Sequence, residues 1–546
     1  MEICEKQAAL TTIILAICLF AAGCGEPETR GSRELAPAIE MGTTIGSLVE
    51  VFSPELVPVE GYGLVGGLSG TGSGECPPAI RSYLRQYILT QLPKHQDVEK
   101  LINSRDTAVV LVQGFMPTAV SKNQYFDLRV VALPGTQTTS IEGGWLYRTE
   151  LKTARRLGMT IQALATAEGA VFTDTIDTDE TDTKTGYVLA GGRVLHEYKI
   201  SLALRQPDYR TASLIRNKLN ERFGEGTAKA VSPSKVDLKV PTYYKRQKQR
   251  FVSIIKAIYL SETPEITKER ISAFVKNLAA SKDKQESEIA LEAIGKESVE
   301  KLSALLSLSD EEVRLRAARC MLNLGSDRGL DALREIAADE NSSYRVEVLE
   351  AITAGASRND AAVISRRLLR DDDFDIRLAA YEQLRKLDDI TVAQTLVGRN
   401  FYLERITQTE HKSIFVSRSG SPRIVLFGAP IRCRKNIFIQ SDDGSIILNA
   451  PTGQEHVSII RKHPKRPNIP PIQLKSSFEL GDIIRTLCEE PFKRRGEGQI
   501  GLGVSYAEAI ALLKKMSDKG AVRVEFRAGP LPEIDLIIKK QQTIGR

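Results

Sequence analysis

The sequence predicts a multidomain protein in which α+β regions are interrupted by an all-α solenoid. Three observations lead to this fold class. The chain has 546 residues, which is too long for a single hydrophobic core. Apolar runs with the character of β-strands stand on both sides of a long, charged segment that reads as helical. Inside that segment a short motif recurs at a nearly constant interval, as it does in stacked helical repeats.

Composition and charge narrow the classes of function. Hydrophobic residues make up 42% of the chain and charged residues 26%, which is typical of globular domains. The formal net charge of +6 is small for this length, and aromatic residues account for only 6%. A dedicated nucleic-acid binder shows concentrated basic patches and aromatic stacking platforms, so we predict no nucleic-acid partner.

The N-terminus predicts export. An apolar stretch, residues 8–20, is too short to span a membrane and leads into the sequence AAGC, so residues 1–23 are predicted to be a signal peptide. The segment resembles a bacterial lipoprotein signal, which implies lipid attachment at Cys24 and, with Gly25 beside it, an outer-membrane anchor. An ordinary signal peptide and an uncleaved anchor are the alternatives. Residues 24–44, rich in Gly, Pro, Glu, Arg and Ser, are predicted to be a flexible tether.

Residues 45–260 are predicted to form an α+β region. Apolar runs predict strands within residues 106–120, 125–133, 145–151, 194–204 and 234–241. A helix is predicted within residues 207–223, with Asp208 or Thr211 as its N-cap. The apolar residues on one face of that helix are Ala212, Ile215, Leu219 and Phe223.

Residues 261–390 carry the repeat. Arg314, Arg345 and Arg377 occupy the same place in three similar segments, and their separations of 31 and 32 residues are typical of helical-repeat arrays. The segment therefore resembles a short HEAT-like solenoid, and such stacks generally present a long surface to another protein. The alternative is a plain helical bundle with a chance similarity.

Strand patterns return in the last third of the chain. Residues 391–460 are predicted to be β-rich, with strands at residues 413–417, 423–427, 436–440 and 445–448 and a hairpin turn at residues 442–444. The basic, Pro-rich run RKHPKRPNIPP predicts an extended linker at residues 461–475. Residues 476–546 are predicted to be a C-terminal α/β region, whose helix begins with a capping box of Ser505 and Glu508 and precedes a strand in VRVEF.

The segment GYGLVGGLSGTGSG, residues 61–74, begins with the spacing of a dinucleotide-binding loop. That function needs a strand before the glycines and a helix directly after them, so that a phosphate meets the helix N-terminus. The prolines in SPELVPVE predict a poor strand before Gly61, and the next helix is expected only at residues 77–78. The P-loop lysine, the acidic residue about 20 positions later and the kinase motifs are all absent. These features argue against nucleotide binding.

Motifs for catalysis or metal binding are also lacking in the sequence. The five histidines are scattered, and no Cys-x-x-Cys or Gly-x-Ser-x-Gly motif occurs. Residues 371–373, three aspartates, fall in a predicted solenoid turn, and the acidic loop at residues 177–184 lacks the ligand spacing of a calcium loop. We predict no catalytic residue, no metal and no cofactor. For the later cysteines, a Cys433–Cys488 disulfide and isolated buried thiols are both open.

The glycine segment does resemble a known family. VEGYGLVGGLSGTG is closely similar to the N-terminal signature of the bacterial flagellar P-ring protein family. The similarity continues through residues 106–152, through PDYRTASLIRNKLNERFG with VDLKVP, and through GLGVSYAEAIALLKKMSDKGAVRVEF. It covers about residues 45–260 and 435–528. The chain departs from the family in its lipoprotein-type signal, in the inserted HEAT-like block, and in Ser73, where the family usually has Asp.

This resemblance implies a structural role without enzymatic activity. The family forms a periplasmic ring that acts, with the outer-membrane ring, as a bushing around the flagellar rod. It implies that the glycine segment serves a tight subunit contact, because glycine permits close approach and positive φ. The residues concerned are Gly61, Tyr62, Gly63, Gly66, Gly67, Gly70 and Gly72.

Two functions follow as expectations. The first is a homo-oligomeric P-ring-like subunit of the flagellar basal body, held in the periplasm and tethered to the outer membrane through Cys24. Its partners would be the rod, the outer-membrane ring and an unidentified protein at the HEAT-like block. The alternative is a monomeric outer-membrane lipoprotein scaffold whose HEAT-like repeats bind another envelope protein.

Overall fold

The computed structural model describes residues 42–52, 56–91, 97–117, 121–153, 162–174, 176, 182–196, 199–245, 247–398, 400–462, 470–491 and 500–544. The predicted signal peptide, Cys24 and nearly all of the tether lie outside the described residues, as does most of the acidic loop at residues 177–184. Within the described ranges, no helix combines the length and apolar character needed to cross a membrane. The element order confirms the fold class, because a mixed α/β region, a helical block and further β-sheets follow one another.

The N-terminal region contains a barrel and a smaller sheet. Its elements are α1 (Ile45–Leu48), β1 (Val49–Phe52), β2 (Leu56–Gly66), α2 (Pro78–Gln91), α3 (Val98–Ile102), β3 (Thr107–Pro117), β4 (Tyr125–Ala132), β5 (Trp145–Thr153), β6 (Ala165–Ala170), β7 (Thr185–Val194), β8 (Ile200–Leu204), α4 (Tyr209–Phe223), β9 (Ala228–Ser232), β10 (Lys235–Leu238) and α5 (Lys248–Ala257). Six antiparallel strands close the barrel in the order β2-β3-β4-β7-β6-β5. Apolar side chains such as Val59, Val110, Leu128 and Leu146 form its buried core.

The segment before the glycines is a strand, so the prediction of a poor strand there was wrong. β2 begins at Leu56 and continues through Gly66, with β3 on one side and β5 on the other. Pro58, which has no N–H to donate, lies near the start of β2, opposite Phe115 of β3 and before the first described pair with β5 at Val59. The helix expected near residues 77–78 does begin at Pro78.

The smaller sheet has the order β1-β8-β10-β9 and packs one face against α4 and α5. The predicted face of α4 is confirmed, since Ala212, Ile215, Leu219 and Phe223 are its buried residues. Asp208, rather than Thr211, is the N-cap and accepts from the backbone N–H groups of residues 210 and 211. The single strand predicted over residues 194–204 is instead the end of β7 and all of β8, because the chain passes there from the barrel to the smaller sheet.

The helical block is built in two layers. Its helices are α6 (Pro264–Ala280), α7 (Gln285–Ile294), α8 (Val299–Ser303), α9 (Glu311–Asn323), α10 (Leu330–Ala338), α11 (Arg345–Gly355), α12 (Arg358–Leu368) and α13 (Phe374–Lys386). In one layer α7, α9, α11 and α13 pack side by side, and α5 extends this layer at its N-terminal end. The shared core includes Leu333, Leu349 and Ile352. This is the stacking of helix pairs that the repeat predicts.

The C-terminal region holds two sheets. Its elements are β11 (Ala393–Val397), β12 (Phe401–Ile406), β13 (Ser413–Val416), β14 (Arg423–Phe427), β15 (Ile437–Gln440), β16 (Ile446–Ala450), β17 (Val457–Arg461), β18 (Ile472–Ser476), α14 (Leu480–Cys488), α15 (Tyr506–Asp518), β19 (Glu525–Ala528) and α16 (Ile534–Ile544). The mixed sheet β11-β12-β14-β13-β19 and the antiparallel sheet β15-β16-β17-β18 share one core with α14 and α15.

Local predictions in this region have a mixed outcome. The capping box is present, since the Ser505 and Glu508 side chains each accept from the other residue's backbone N–H. The hairpin turn is also present, with Gly444 at φ +69° between β15 and β16. The linker predicted at residues 461–475 was wrong at both ends, because β18 pairs with β17 through Arg461 and Ile472. Its Pro-rich middle, residues 463–469, lies outside the described residues.

The helical block and the C-terminal sheet share a core. Phe374 and Tyr381 of α13 pack edge-on against Phe427 of β14. Burial raises the pKa of the Tyr381 hydroxyl far above its ordinary value, so it stays protonated and donates to the fully buried Glu404 carboxylate. Arg385 donates to the other oxygen of Glu404 at 3.0 Å. The predicted boundary near residue 390 therefore falls at a turn, with continuous packing across it.

We expect Tyr381→Phe to lower the free energy of unfolding by about 1–3 kcal/mol, because a buried carboxylate loses a hydrogen bond that no water replaces. The packing area of the ring is retained, so the loss isolates the hydroxyl. The measurement is urea-induced unfolding followed by circular dichroism. Tyr209→Phe is the matched control, since Tyr209 is 73% exposed and should change little.

Candidate functional site

The first two glycines of the predicted motif face the barrel interior. Gly61 and Gly63 lie on the same face of β2 as the buried core residues Val59 and Val65, because every second residue of a strand points to the same side. A Cβ at position 61 would lie 2.2 Å from the backbone oxygen of Glu150. A Cβ at position 63 would lie 2.3 Å from Oγ1 of Thr149. Both contacts are far inside van der Waals distance, so the two glycines let β5 cross β2 closely within one chain.

A register shift in the barrel explains this close approach. β2 and β5 are paired at Glu60 with Lys152 and again at Val65 with Leu146, with one more residue on β5 than on β2 between these points. A bulge of this kind bends a strand toward its partner. The close approach leaves no room for a Cβ on β2, and glycine has none. The tight contact between subunits that the resemblance implies stays a prediction, and within the subunit these glycines admit the close approach of β5.

The remaining motif residues hold the connection after β2. Gly66 lies under the ring of Tyr147, which would be 2.7 Å from its Cβ. Gly67 and Gly70 have φ of +80° and +92°, which L side chains rarely adopt. Gly72 donates its N–H to the Arg105 carbonyl at 2.8 Å. The loop is thereby tied to the start of β3, and no helix begins at it.

Tyr62 has a different role from the glycines. It points to the outside of the barrel, where it packs with a second small core under α2 and α3. That core includes Leu64 of β2, Leu84 of α2 and Ile102 of α3. Tyr62 is half-buried, so it covers the barrel wall and leaves its edge in contact with solvent.

The three repeat arginines stabilise turns of the solenoid. Arg345 pairs with the Asp371 carboxylate, and Arg377 donates to the backbone oxygens of Asp371 and Asp372 at 2.7 and 2.8 Å. The turn before α13 is therefore held from both neighbouring helices. Arg314 is more exposed and lies 3.7 Å from Glu335. In this turn the Asp371 carboxylate pairs with Arg345 and the Asp373 carboxylate caps α13, whereas the Asp372 side chain is exposed.

A buried ionic cluster joins the N-terminal region to the solenoid. Glu288 on α7 is fully buried, and its carboxylate accepts from three guanidinium groups. The distances are 2.7 Å from Arg250 of α5, 3.0 Å from Arg316 of α9 and 2.6 Å from Arg319 of α9. Burial acts to raise the pKa of Glu288, but these cations hold it below its ordinary value.

A second carboxylate, one turn along α7, completes the junction. Glu292 is also fully buried and accepts from Arg250, from the Tyr244 hydroxyl at 3.0 Å and from the Asn323 amide at 3.2 Å. Sequence reasoning missed this cluster. The signal was present, because Glu288 and Glu292 stand four residues apart among Ile289, Ala290, Leu291 and Ala293, where an exposed helix face would be polar throughout.

Polar contacts also fasten the barrel to the C-terminal region. Arg418 bridges the Asp174 carboxylate at 3.1 Å and the Gly529 carbonyl at 2.6 Å. Asp127 of β4 accepts from the backbone N–H of Gly420 at 2.8 Å. Burial raises the pKa of Asp127, while backbone hydrogen bonds partly oppose this. The Asp174 and Asp127 contacts therefore join the barrel to segments of the C-terminal region more than 200 positions later in the sequence.

A cleft of about 680 Å³ lies between the barrel and the C-terminal region. Its lining includes Trp145, Tyr125, Arg148, Arg193, Glu168 and Asn400. Trp145 is 41% exposed and Tyr125 59% exposed, so both rings are available at the surface. None of the glycines of the motif lines this cleft. The nearest link is Trp145, which lines the cleft and pairs with Gly66 between β5 and β2.

Cysteines and metal ligands add no reactive centre within the described part of the chain. Cys76, Cys320, Cys433 and Cys488 are all free thiols, so the Cys433–Cys488 disulfide is not formed. Burial raises the pKa of Cys433 to about 12, which makes this thiol unreactive. Among these same residues, no group of three or more His, Cys, Asp or Glu side chains is placed to hold a metal ion.

Comparison with known proteins confirms the resemblance seen in the sequence. Residues 45–273 match the family model described as flagellar P-ring protein, and residues 271–353 match a model of HEAT repeats. Flagellar P-ring proteins of Thermotoga maritima, Legionella pneumophila and Hydrogenovibrio crunogenus are 28%, 29% and 30% identical to this chain over 214, 216 and 217 residues. Each alignment covers 36% of this chain. The chain spans 61% of the Thermotoga protein and 56% of each of the other two.

The matched regions coincide with the architecture. The P-ring match contains the barrel, the smaller sheet and α5, and it ends within α6 of the solenoid. The HEAT match runs from α6 into α11. The similarity inferred for residues 435–528 lies beyond both matches and stays a prediction.

Proposed function

We propose that this chain is a structural subunit of a P-ring-like ring around the rod of the flagellar basal body, without enzymatic activity. The match of residues 45–273 to the P-ring family model carries this proposal. The structure supports it, because the matched region folds as an uninterrupted barrel and sheet although a helical block follows it. The ring is homo-oligomeric and lies in the periplasm, and it meets the rod and the outer-membrane ring. Lipid on Cys24 tethers each subunit to the outer membrane.

A second function is favoured by a separate observation, the HEAT-repeat match at residues 271–353. In this alternative the chain is an outer-membrane lipoprotein scaffold, and its solenoid binds another envelope protein. The two functions differ in oligomeric state. A ring subunit self-associates in a closed array, whereas a scaffold remains a monomer until its partner is added.

The test is to purify the full-length chain in detergent and to examine it by light scattering and negative-stain electron microscopy, together with flagellar basal bodies from the same cells. We expect closed rings, and we expect the chain to be present in the basal bodies by immunogold labelling. Deletion of the gene should abolish swimming, and the intact chain should restore it. A deletion strain that swims normally, with basal bodies free of the chain, would contradict the proposed function.

A further inference from the structure

One face of the smaller sheet is basic, and the described part of the chain leaves its charged side chains exposed. β1, β8, β10 and β9 pack their inward residues against α4 and α5, and the alternate residues point to solvent. Five exposed cations lie on the outward positions of these strands or directly beside them. We call this set the basic face: Lys199, Arg205, Lys229, Lys235 and Lys239.

The charge of the basic face is only partly compensated. Glu50 and Asp237 are the carboxylates on its outward positions, and Asp237 pairs with Lys235 at 3.2 Å. Residues 199–256 as a whole contain 14 Lys and Arg against 4 Asp and Glu. Two apolar side chains flank the cations, Phe52 at 64% exposure and Val231 at 54%. A basic surface bordered by exposed apolar residues has the composition of an uncovered interface.

The solenoid has the opposite charge. Residues 261–390 contain 20 Lys and Arg against 27 Asp and Glu. The helices α7, α9, α11 and α13 repeat in parallel, so their N-termini lie along one edge. Contacts between neighbouring starts agree with this, since Lys284 before α7 lies 3.4 Å from Asp310 before α9. Exposed carboxylates follow this acidic edge: Asp283, Glu286, Asp310, Asp339, Glu340, Asp372, Asp373 and Asp375.

The end of the edge nearest the C-terminal region is the most acidic. Glu340, Asp372 and Asp375 are all exposed at the turns before α11 and α13. The basic side chains beside them include the exposed Arg370 and Arg527, the latter 5.4 Å from the ring centre of Phe374. The His411 ring lies 2.9 Å from Asp372. Adjacent packed helices stand about 8–10 Å apart, so two successive turns fall within the width of about 14 Å that four strands occupy.

The basic face and the acidic edge cannot meet inside one chain. The inner face of the smaller sheet packs on α5, and α5 packs on α7 at the start of the solenoid. The outer, basic face therefore points away from the solenoid of its own subunit. Each copy presents one surface of each sign, and an arrangement of this kind is satisfied by a head-to-tail contact.

We propose that the basic face of one copy docks on the acidic edge of a second copy, at the turns before α11 and α13. The contact rests on the proposed function, because a head-to-tail contact that closes builds a ring. It also gives the solenoid a role in assembly, between neighbouring subunits. Opposed charges at such a contact set orientation and steer association, and salt weakens them.

The test uses the full-length chain in detergent and sedimentation velocity at about 50 mM and about 500 mM sodium chloride. One variant reverses the basic face (Lys229→Glu, Lys235→Glu, Lys239→Glu). A second reverses the acidic edge (Glu340→Lys, Asp372→Lys, Asp375→Lys). The control, matched to the basic-face variant, makes the same three Lys-to-Glu changes on exposed lysines in the solenoid, away from the turns before α11 and α13 (Lys268→Glu, Lys276→Glu, Lys296→Glu). Circular dichroism verifies that each variant is folded.

We expect self-association of the wild type at low salt and a rise of about tenfold or more in the dissociation constant for either reversed variant. The control should associate like the wild type. A mixture of the two reversed variants should associate again, because the native basic face of one variant meets the native acidic edge of the other and the two reversed surfaces also attract one another. Recovery on mixing is thus the positive result.

Several outcomes overturn the inference. The inference is wrong if the wild type does not associate at low salt, if the reversed variants associate like the wild type, or if mixing the two reversed variants does not restore association. If a reversed variant does not fold, Lys229→Glu and Asp372→Lys alone take its place. Loss of binding to heparin by the basic-face variant, with self-association unchanged, would assign the face to an anionic polymer instead. Closed rings from the reversed variants would leave the proposed function standing and remove only this contact.

Discussion

Glu288→Gln is expected to lower the free energy of unfolding by about 3–5 kcal/mol. The Glu288 carboxylate is fully buried and accepts from Arg250, Arg316 and Arg319, whose side chains are 13%, 20% and 24% exposed. An amide keeps the shape of the side chain but leaves the three guanidinium groups with one carboxylate fewer. Because the three guanidinium groups are partly solvated, we expect the loss in free energy of unfolding to lie at the lower end of this range, about 3 kcal/mol. Urea-induced unfolding measures it.

A surface pair on the same block is the control. Glu300 and Arg328 lie 2.9 Å apart, with 81% and 60% of their side chains exposed. Glu300→Gln removes a charge from a helix start of the same solenoid and should cost no more than about 0.5 kcal/mol. Equal losses for Glu288→Gln and Glu300→Gln would mean that the junction between α5, α7 and α9 does not hold the N-terminal region to the solenoid.

The pH dependence of this contribution has a definite sign. The pKa of Glu288 is lowered in the folded protein from the ordinary value of 4.5, because the arginines outweigh the effect of burial. The group therefore stabilises the fold fully above about pH 4.5, and this part is lost as pH falls through the lowered pKa. The stability difference between the wild type and Glu288→Gln should shrink below pH 4.5.

Local signals in the sequence were sufficient where one short segment decides the structure. The buried face of α4 follows from four apolar residues at helical spacing, and the capping box at Ser505 follows from two residues. The repeat was visible because Arg345 and Arg377 stand in equivalent turns of the solenoid. In each case the chain makes its own contacts within a few turns, so pattern alone predicts them.

The failures have a common physical cause, which is pairing with distant segments. β2 forms despite Pro58 because β3 and β5 supply partners that begin 41 or more positions later. β18 forms at the end of a Pro-rich run because β17 is already placed beside it. The cluster around Glu288 needs three helices to be assembled first. Tertiary partners override local preference in all three, and a single sequence does not list those partners.

The glycine motif shows how a pattern that implies close approach can have more than one partner. Close approach at Gly61 and Gly63 was inferred from the resemblance and assigned to a neighbouring subunit. The structure places that approach between β2 and β5 of the same barrel. Gly61 is not in the left-handed region of φ, so it is needed for space alone. Substitutions in this segment therefore report first on the barrel and only afterwards on assembly.

Gly61→Ala is expected to lower the free energy of unfolding by about 3 kcal/mol, at the upper end of the cost of overpacking. The new Cβ would lie 2.2 Å from the backbone oxygen of Glu150, and a strand paired on both sides cannot withdraw without breaking its ladder. Gly66→Ala is the matched comparison on the same strand. The three atoms nearest its Cβ would all belong to the side chain of Tyr147, which is 45% exposed and can swing outward.

The order of the two costs decides the interpretation. We expect Gly66→Ala to cost about 1 kcal/mol or less, since a surface side chain yields more easily than backbone. Urea-induced unfolding of both variants, followed by tryptophan fluorescence at Trp145 of β5, compares them directly at the affected strand. If Gly61→Ala is as stable as the wild type but fails to assemble, the close approach belongs to a neighbouring subunit after all. If it is unstable and assembly fails with it, the motif serves to close the barrel, and the surfaces that join subunits lie elsewhere.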